Sequence, residues 1–253
     1  MAERLHKALA RMGLGSRREI EAWIKQGLVV VDGRPAEIGQ TTEGVSDVEV
    51  NGKRVRLQNE VNTQVLQYHK PDDEICSRKD PQGRKTVYER LPALSVGRWI
   101  AIGRLDLTTS GILLFTTDGE LANTLMHPSA EVDREYLVRV HGRVSPEIIH
   151  RLLKGIRLED GLARFTDIQQ RPSQGSNQWL QVVLQEGRNR EVKRLFESQR
   201  LQVTRLIRIR FGPIVLDESL TKGKHRMLTQ KEIKQLQALV RQAKAREPAK
   251  AKH

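Results

Sequence analysis

The sequence predicts an α+β protein in three parts. A small helical and stranded unit covers residues 1–60, a larger mixed unit with much antiparallel sheet covers 61–235, and a basic tail expected to lack structure covers 236–253. Three observations carry this division. The first sixty residues combine two short amphipathic stripes with the turn pairs Asp32-Gly33 and Asn51-Gly52. The middle holds short strands separated by polar turns, without repeated strand–helix–strand units. The end is rich in Ala, Lys and Pro, a composition that needs no core.

Composition narrows the function. Of 253 residues, 44 are Lys or Arg and 31 Asp or Glu, a net charge of +13 that asks for a polyanionic partner, nucleic acid first. One cysteine, Cys76, excludes an intramolecular disulfide framework and a cysteine-rich zinc site, and is read as a buried or idle thiol. The histidines show no ligand spacing with carboxylates, so no metal is expected. Neither GxGxxG nor GxxxxGK[ST] occurs, which argues against a nucleotide cofactor. No run of 18 apolar residues occurs and the opening Met1-Ala-Glu-Arg-Leu-His has no apolar block, so a soluble, cytoplasmic protein is expected.

In the first unit Leu5, Leu9 and Met12 recur at helical spacing, with Arg4, Lys7 and Arg11 on the other faces, and Gly13 ends the stripe. Ser16 with Glu19 forms a capping box opening a second helix on Ile20, Trp23 and Ile24, which Gly27 closes. Val29–Val31 reads as a strand turned by Asp32-Gly33, and a hairpin runs from Asp47 to Leu57. The stretch from Arg4 to Glu21, with Ile24 to Gly33, resembles the S4 RNA-binding domain. That resemblance implies that Ser16, Arg17 and Arg18 open a helix facing an RNA backbone, where free N–H groups and arginines favour phosphate. The unit joins the next through residues 58–62, too short for a long tether.

The larger unit opens with a strand over 61–68 that runs into Tyr68-His-Lys-Pro71, where proline stops it. The polar segment 77–84 carries Arg78, Lys79 and Arg84 and reads equally as a phosphate-contacting loop or an ordinary solvated one. Arg104 and Asp106 then lie between two buried-looking strands, Trp99–Gly103 and Ile112–Phe115; spacing alone leaves open a structural ion pair or a chemical site. A short helix covers Glu120–Met126. In the strand Arg134–Val140, Tyr136, Val138 and Val140 share a face, making the tyrosine core or pocket wall. Ser145-Pro146 caps and opens a helix, and strands follow near 163–169 and 179–184. Asn189 is expected to cap a helix with Val192, Leu195 and Phe196 inward and Arg190, Lys193 and Arg194 along its surface. In the strand 201–211, Ile207, Ile209 and Phe211 should face one way and Arg208 and Arg210 the other, forming with Arg188 a basic margin for RNA. Thr229 and Glu232 form a capping box for a last helix that fades into the tail.

The segment Gly103-Arg-Leu-Asp106-Leu-Thr-Thr-Ser-Gly-Ile-Leu-Leu-Phe-Thr-Thr-Asp-Gly119 resembles the catalytic motif of the pseudouridine synthases. Tyr68-His-Lys-Pro71, Arg134-Glu-Tyr136 and Glu186-Gly-Arg-Asn-Arg-Glu-Val-Lys-Arg-Leu-Phe196 resemble three further segments of that family. With an S4 domain in front, the set is similar to the branch acting on ribosomal uridines, and Asp118 to Pro128 resembles its large-subunit members. The resemblance implies an S4 domain before a mixed, largely antiparallel pseudouridine synthase domain. It implies isomerisation of a uridine in 23S large-subunit rRNA or a pre-ribosomal particle, in the hairpin loop bordering the peptidyl-transferase centre. No cofactor is implied, and because one active-site Asp in one domain needs no partner a monomer is the simplest expectation; small-subunit rRNA, tRNA, or a non-catalytic RNA-binding role are the alternatives. Asp106 would be the essential carboxylate, attacking C1′ or taking the 2′ proton. Arg104 would hold the flipped nucleotide, Tyr136 would stack on the uracil, Lys193 would pair with Asp106, and Leu195 would line the pocket. Relatives often have arginine where Lys193 stands, so the charge is kept and the bidentate fork is lost.

Overall fold

The structure, a computed structural model, describes residues 3–57, 62–173 and 175–250, the side chains of the last four excepted. It forms two compact units. Met1–Gln64 belongs to the first together with Pro92–Ile100 and Thr117–Gly119, and the remainder forms the second. The joint expected at 58–62 lies, but for residue 62, outside the described residues.

In the first unit, helix α1 (Leu5–Arg11) buries Leu5, Ala8 and Leu9 and is ended by Gly13 at φ +88°. Helix α2 (Arg17–Lys25) begins at the predicted capping box: Glu19 N–H donates to Ser16 Oγ at 3.1 Å and Ser16 N–H to Glu19 Oε2 at 2.7 Å. Four short strands follow, β1 (Val29–Val31), β2 (Arg34–Pro35), β3 (Val48–Val50) and β4 (Lys53–Arg54), in the order β2-β1-β3-β4. Val29, Val31, Val48 and Val50 pack on Leu5, Leu9, Ile20 and Ile24. Each such side chain contributes about 1.5–3 kcal/mol when fully buried, which lets so small a unit hold its shape. The segment 92–100 adds to it, with Trp99 Nε1 donating to Pro92 O at 2.8 Å.

The second unit is built on one large sheet. Strand β5 (Val65–Lys70) starts later than expected and runs to the residue before Pro71. β6 (Ile100–Ile102) pairs with β7 (Ser110–Thr116), which is buried along its whole length. Helix α3 (Gly119–Met126) and strand β8 (Arg134–His141) follow, then α4 (Pro146–Lys154), whose N-cap Ser145 makes no capping hydrogen bond. A hairpin of β9 (Ile156–Leu158) and β10 (Gly161–Ala163), absent from the sequence reading, precedes β11 (Asp167–Arg171) and β12 (Asn177–Leu184). Helix α5 (Glu191–Glu197), β13 (Gln202–Phe211), β14 (Ile214–Val215), β15 (His225–Met227) and α6 (Gln230–Lys250) complete the chain. The order is β11-β12-β8-β13-β7-β5-β15, antiparallel except where β13 meets β7.

That parallel junction sits beside the site. Ile207 faces Ser110 and Arg208 faces Gly111. Gly111 has φ +110°, and a Cβ there would lie 2.2 Å from Arg208 O, so the backbones meet only because position 111 has no side chain.

Three expectations are corrected. Asn189 does not cap α5: the N-cap is Arg190 in the left-handed region, and Glu191 instead reaches back to accept from Arg188 N–H at 3.0 Å. Arg208 does not face outward with Arg210. The pairing of β13 with β8 shifts between Arg208 and Arg210, so Leu206, Arg208 and Phe211 all turn inward, as a bulge requires. Helix α6 also continues through Lys250, where an unstructured tail is expected from 236; Leu236 and Ala243 are buried, giving the helix an apolar face. Residues 251–253 of that tail lie outside the described residues.

Candidate active site

Asp106 sits on the loop between β6 and β7, half-buried, on the wall of a cavity of about 770 Å³. Arg104, Leu107, Tyr136, Val192 and the 77–84 loop also line it. The sheet fixes Tyr136 there: it lies on the inward face of β8 with Arg134, Val138 and Val140, and is 8% exposed. Arg104 is exposed at the cavity wall.

The loop is held by a lysine the sequence reading gave no role. Lys70, at the end of β5, is wholly buried, and its three N–H donors are shared among four carbonyls: Pro71 at 3.0 Å, Asp106 at 3.1 Å, Leu107 at 3.4 Å and Thr109 at 2.9 Å. No carboxylate pairs with it among the described residues, and burial pushes its ammonium below the ordinary lysine value. Thr109 N–H closes the loop on Asp106 O at 3.0 Å, and Asp73 N–H donates to Leu107 O at 3.0 Å. Cys76 packs against Leu105, and burial pushes its thiol up, in line with an idle cysteine. The signal for Lys70 was present, since a lysine closing an apolar strand has to find acceptors.

Lys193 approaches from α5. Its Nζ donates to Thr108 Oγ1 at 2.7 Å and lies 3.8 Å from Asp106 Oδ2, a looser contact than a hydrogen-bonded pair. Burial pushes the Lys193 ammonium down and the Asp106 carboxylate opposes that shift. Thr108 is thus a further site residue that sequence reasoning missed. Leu195 is fully buried and does not line the cavity; Val192 of the same helix does.

The expected RNA-binding arginines divide by their partners. In the first unit Lys7, Arg17 and Arg18 are exposed; Arg4 donates to Gly39 O at 2.7 Å, Arg11 pairs with Glu3 at 3.0 Å, and the Ser16 hydroxyl is occupied as a cap. In the 77–84 loop Lys79 is exposed and Arg78 lies 4.3 Å from the Tyr88 ring centroid, while Arg84 is held bidentately by Asp80. The group at 188–210 is mostly neutralised within the fold. Arg188 pairs with Glu186, Asp160 and Glu191, Arg190 with Glu197, Arg194 with Asp160, and Arg210 with Glu135 and Asp133. Arg208 is 2% exposed and donates through Nε to Ile112 O at 2.8 Å. Arg188, Arg190 and Arg208 line the cavity and Arg194 and Arg210 do not; the open basic margin expected is largely paired, because carboxylates from the unanticipated β9–β10 turn, from β8 and from α5 meet these arginines. No group of three or more metal-ligating side chains occurs among the described residues.

The fold thus sets one accessible carboxylate, Asp106, in a cavity beside a tyrosine and a lysine, preceded in the chain by a small basic unit. The family model described as RNA pseudouridylate synthase matches residues 64–198, and the S4 domain matches residues 3–42. The chain belongs to the RNA pseudouridylate synthase family. It is 51% identical over 243 residues to the ribosomal large subunit pseudouridine synthase B of Vibrio cholerae, covering 95% of this chain and 76% of that one. It is 54% identical over 236 residues to the protein of that name from Pseudomonas aeruginosa, covering 92% of this chain and 61% of that one. A crystal structure of pseudouridylate synthase superposes with a TM-score of 0.64 at 28% identity, covering 92% of this chain and 99% of that one.

Proposed function

We propose that this protein isomerises one uridine to pseudouridine in large-subunit ribosomal RNA, in the hairpin loop bordering the peptidyl-transferase centre, with Asp106 as the reacting carboxylate. The observation that carries the reading is the clamped loop: Lys70 fixes the backbone of Asp106 while its carboxylate stays accessible in the cavity beside Tyr136. The names of the relatives support the large-subunit substrate.

The reaction breaks the N1–C1′ bond and forms C5–C1′; the C5 proton is lost and N1 gains one, so nothing is added from water. The target nucleotide leaves its stack to enter the cavity, and Arg104 is placed to hold the opened backbone. Asp106 either attacks C1′ or removes the 2′ proton, and its charge stabilises the positive character that develops on the sugar. Tyr136 supplies the ring on which the detached uracil turns. Lys193, with Thr108, keeps a positive charge beside the Asp106 carboxylate. This scheme uses no cofactor and one chain. The exposed Lys7, Arg17 and Arg18 of the first unit hold the RNA backbone. A pre-ribosomal RNA substrate is what supports a cytoplasmic site of action; among the described residues no helix is long and apolar enough to cross a membrane.

The test follows release of tritium from RNA labelled at uridine C5. Asp106→Asn should lower turnover by at least about 10³-fold with the fold intact; normal turnover would refute the role of Asp106. Mapping pseudouridine in cells lacking the gene should show one missing large-subunit site, restored by wild type alone. A missing small-subunit or tRNA site would overturn the substrate and keep the chemistry.

A further inference from the structure

Most arginines of 188–210 are bound to carboxylates, but Arg205 has no such partner among the described residues and belongs to a row that crosses the sheet. Across four neighbouring strands, Arg171 of β11 faces Trp179 of β12, Trp179 faces Arg139 of β8, and Arg139 faces Arg205 of β13. Directly opposed residues of antiparallel strands share a face, so these four form one row about 14 Å long at the usual strand spacing. It is the face opposite Tyr136, because 139 and 136 differ by an odd number on β8. Arg171 and Arg205 are exposed, Arg139 and Trp179 half-buried.

None of the three arginines pairs with a carboxylate among the described residues. Arg139 donates through Nε to Thr204 Oγ1 at 3.0 Å and its guanidinium carbon lies 5.8 Å from the Trp179 ring centroid, while Arg171 donates to Gln181 Oε1 at 2.8 Å and helps to hold the Glu135 carboxylate below its ordinary value. Glu135, which lies on the same face, already serves Arg210 and Gln181. A depression of about 490 Å³ opens beside the row, lined by Arg139, Pro172, Ser173, Asn177 and Trp179. Its rim is fixed: Ser173 Oγ accepts from Trp179 N–H at 2.8 Å and donates to Arg171 O at 2.9 Å. The adjoining row on this face presents Leu137 and Ile207, both half-buried.

We propose that this row is a second RNA-binding surface, separate from the uridine cavity, which takes a single-stranded segment of the substrate with a base stacked on Trp179 and phosphates at Arg171, Arg139 and Arg205. An indole between guanidiniums is what a base with flanking phosphates requires, since every base has a stacking face and every linkage a charge. An acidic protein surface would use the arginines alone, with Trp179 serving only as the ring beside Arg139. The proposal rests on the RNA-directed reading above only in that the substrate is RNA.

The experiment uses the full chain and a fluorescein-labelled twelve-residue oligouridylate, with binding followed by anisotropy over a range of salt. Arg139→Gln/Arg171→Gln/Arg205→Gln together should weaken binding at least about tenfold and reduce the salt slope by about 2, three phosphates at roughly 0.7 each. Trp179→Ala should weaken it about tenfold, and Trp179→Phe, which keeps a stacking face, should restore most of the loss. Tritium release from a saturating minimal hairpin should be unchanged in every variant. Failure of the wild-type protein to release tritium would count against the enzymatic reading alone. Oligouridylate binding equal to wild type in the triple variant overturns this proposal. So does unchanged binding accompanied by loss of the variant from pre-ribosomal particles, which would assign the face to a protein.

Discussion

Removing the Lys70 ammonium should uncouple the catalytic loop from the sheet. Lys70→Met keeps much of the stem's volume and deletes the donor that serves the carbonyls of Pro71, Asp106, Leu107 and Thr109. Hydrogen bonds to a charged group contribute about 1.5–3 kcal/mol each, and an unmet buried acceptor costs about 1–3 kcal/mol. Against this, an ammonium buried without a carboxylate carries a desolvation penalty of several kcal/mol, which the substitution relieves. If two of the four carbonyls turn to other donors or water, the net loss is about 2–4 kcal/mol. The effect on chemistry should exceed the effect on folding: a shift of Asp106 by about 1 Å lowers turnover about 10²-fold, with little change in RNA affinity. Urea unfolding and single-turnover tritium release measure the two separately. The pH dependence adds a sign. Because burial holds the folded value below 10.5, the unfolded chain binds more protons through the alkaline window, and Lys70 makes stability rise with pH up to the unfolded value. Lys70→Met should lose that rise. A variant with wild-type unfolding and wild-type turnover would refute the view that this cage positions Asp106.

The other predictions are more local. Lys193→Met should lower turnover about 10–10²-fold and Lys193→Arg should keep most of it; since burial depresses the Lys193 ammonium, wild-type turnover should fall at alkaline pH as that charge is lost, and the arginine variant should extend the plateau in a pH–rate profile. Glu232 is held down to about 2 by Arg226, so its contribution is fully present above about 4.5 and is lost as pH falls towards 2. Glu232→Gln should therefore flatten the acid side of a plot of urea midpoint against pH. Gly111→Ala forces a Cβ against Arg208 backbone at φ +110° and should cost about 3 kcal/mol or more, read as a fall in thermal midpoint with little soluble protein at 37 °C.

Local signals were legible in the sequence to the extent that they were local. The capping box at Ser16 and Glu19, the turns at Asp32-Gly33 and Asn51-Gly52, and the inward face of Tyr136 all depend on neighbours within a few residues, and the structure has each. Asp106 and Arg104 stood out because polar residues between two apolar strands are conspicuous. What escaped depends on distant partners. A bulge in β13, visible only in its pairing with β8, turned Arg208 inward. Asp160, on a hairpin the sequence did not announce, captured Arg188 and Arg194. Counting charges located basic segments and could not show which charges were already answered. The role of Lys70 emerged only when β5 met the loop 36 residues further on.

The parallel contact between β7 and β13 also sets an order of assembly. Arg208 Nε reaches Ile112 O across 96 positions, and Arg226 reaches Gln67, beside the Lys70 end of the sheet, across 159. Such distant pairings pay their loop entropy before they return any stability, and so they form late. During synthesis the helices and hairpins up to Arg54 have their own partners close at hand, whereas the loop bearing Asp106 waits for residues near 208 and the strand bearing Lys70 for residues near 226. A growing chain can therefore hold a folded first unit well before it has a competent carboxylate. Any product ending short of β15 would keep the exposed Lys7, Arg17 and Arg18 of the first unit while the loop bearing Asp106 lacked its full support.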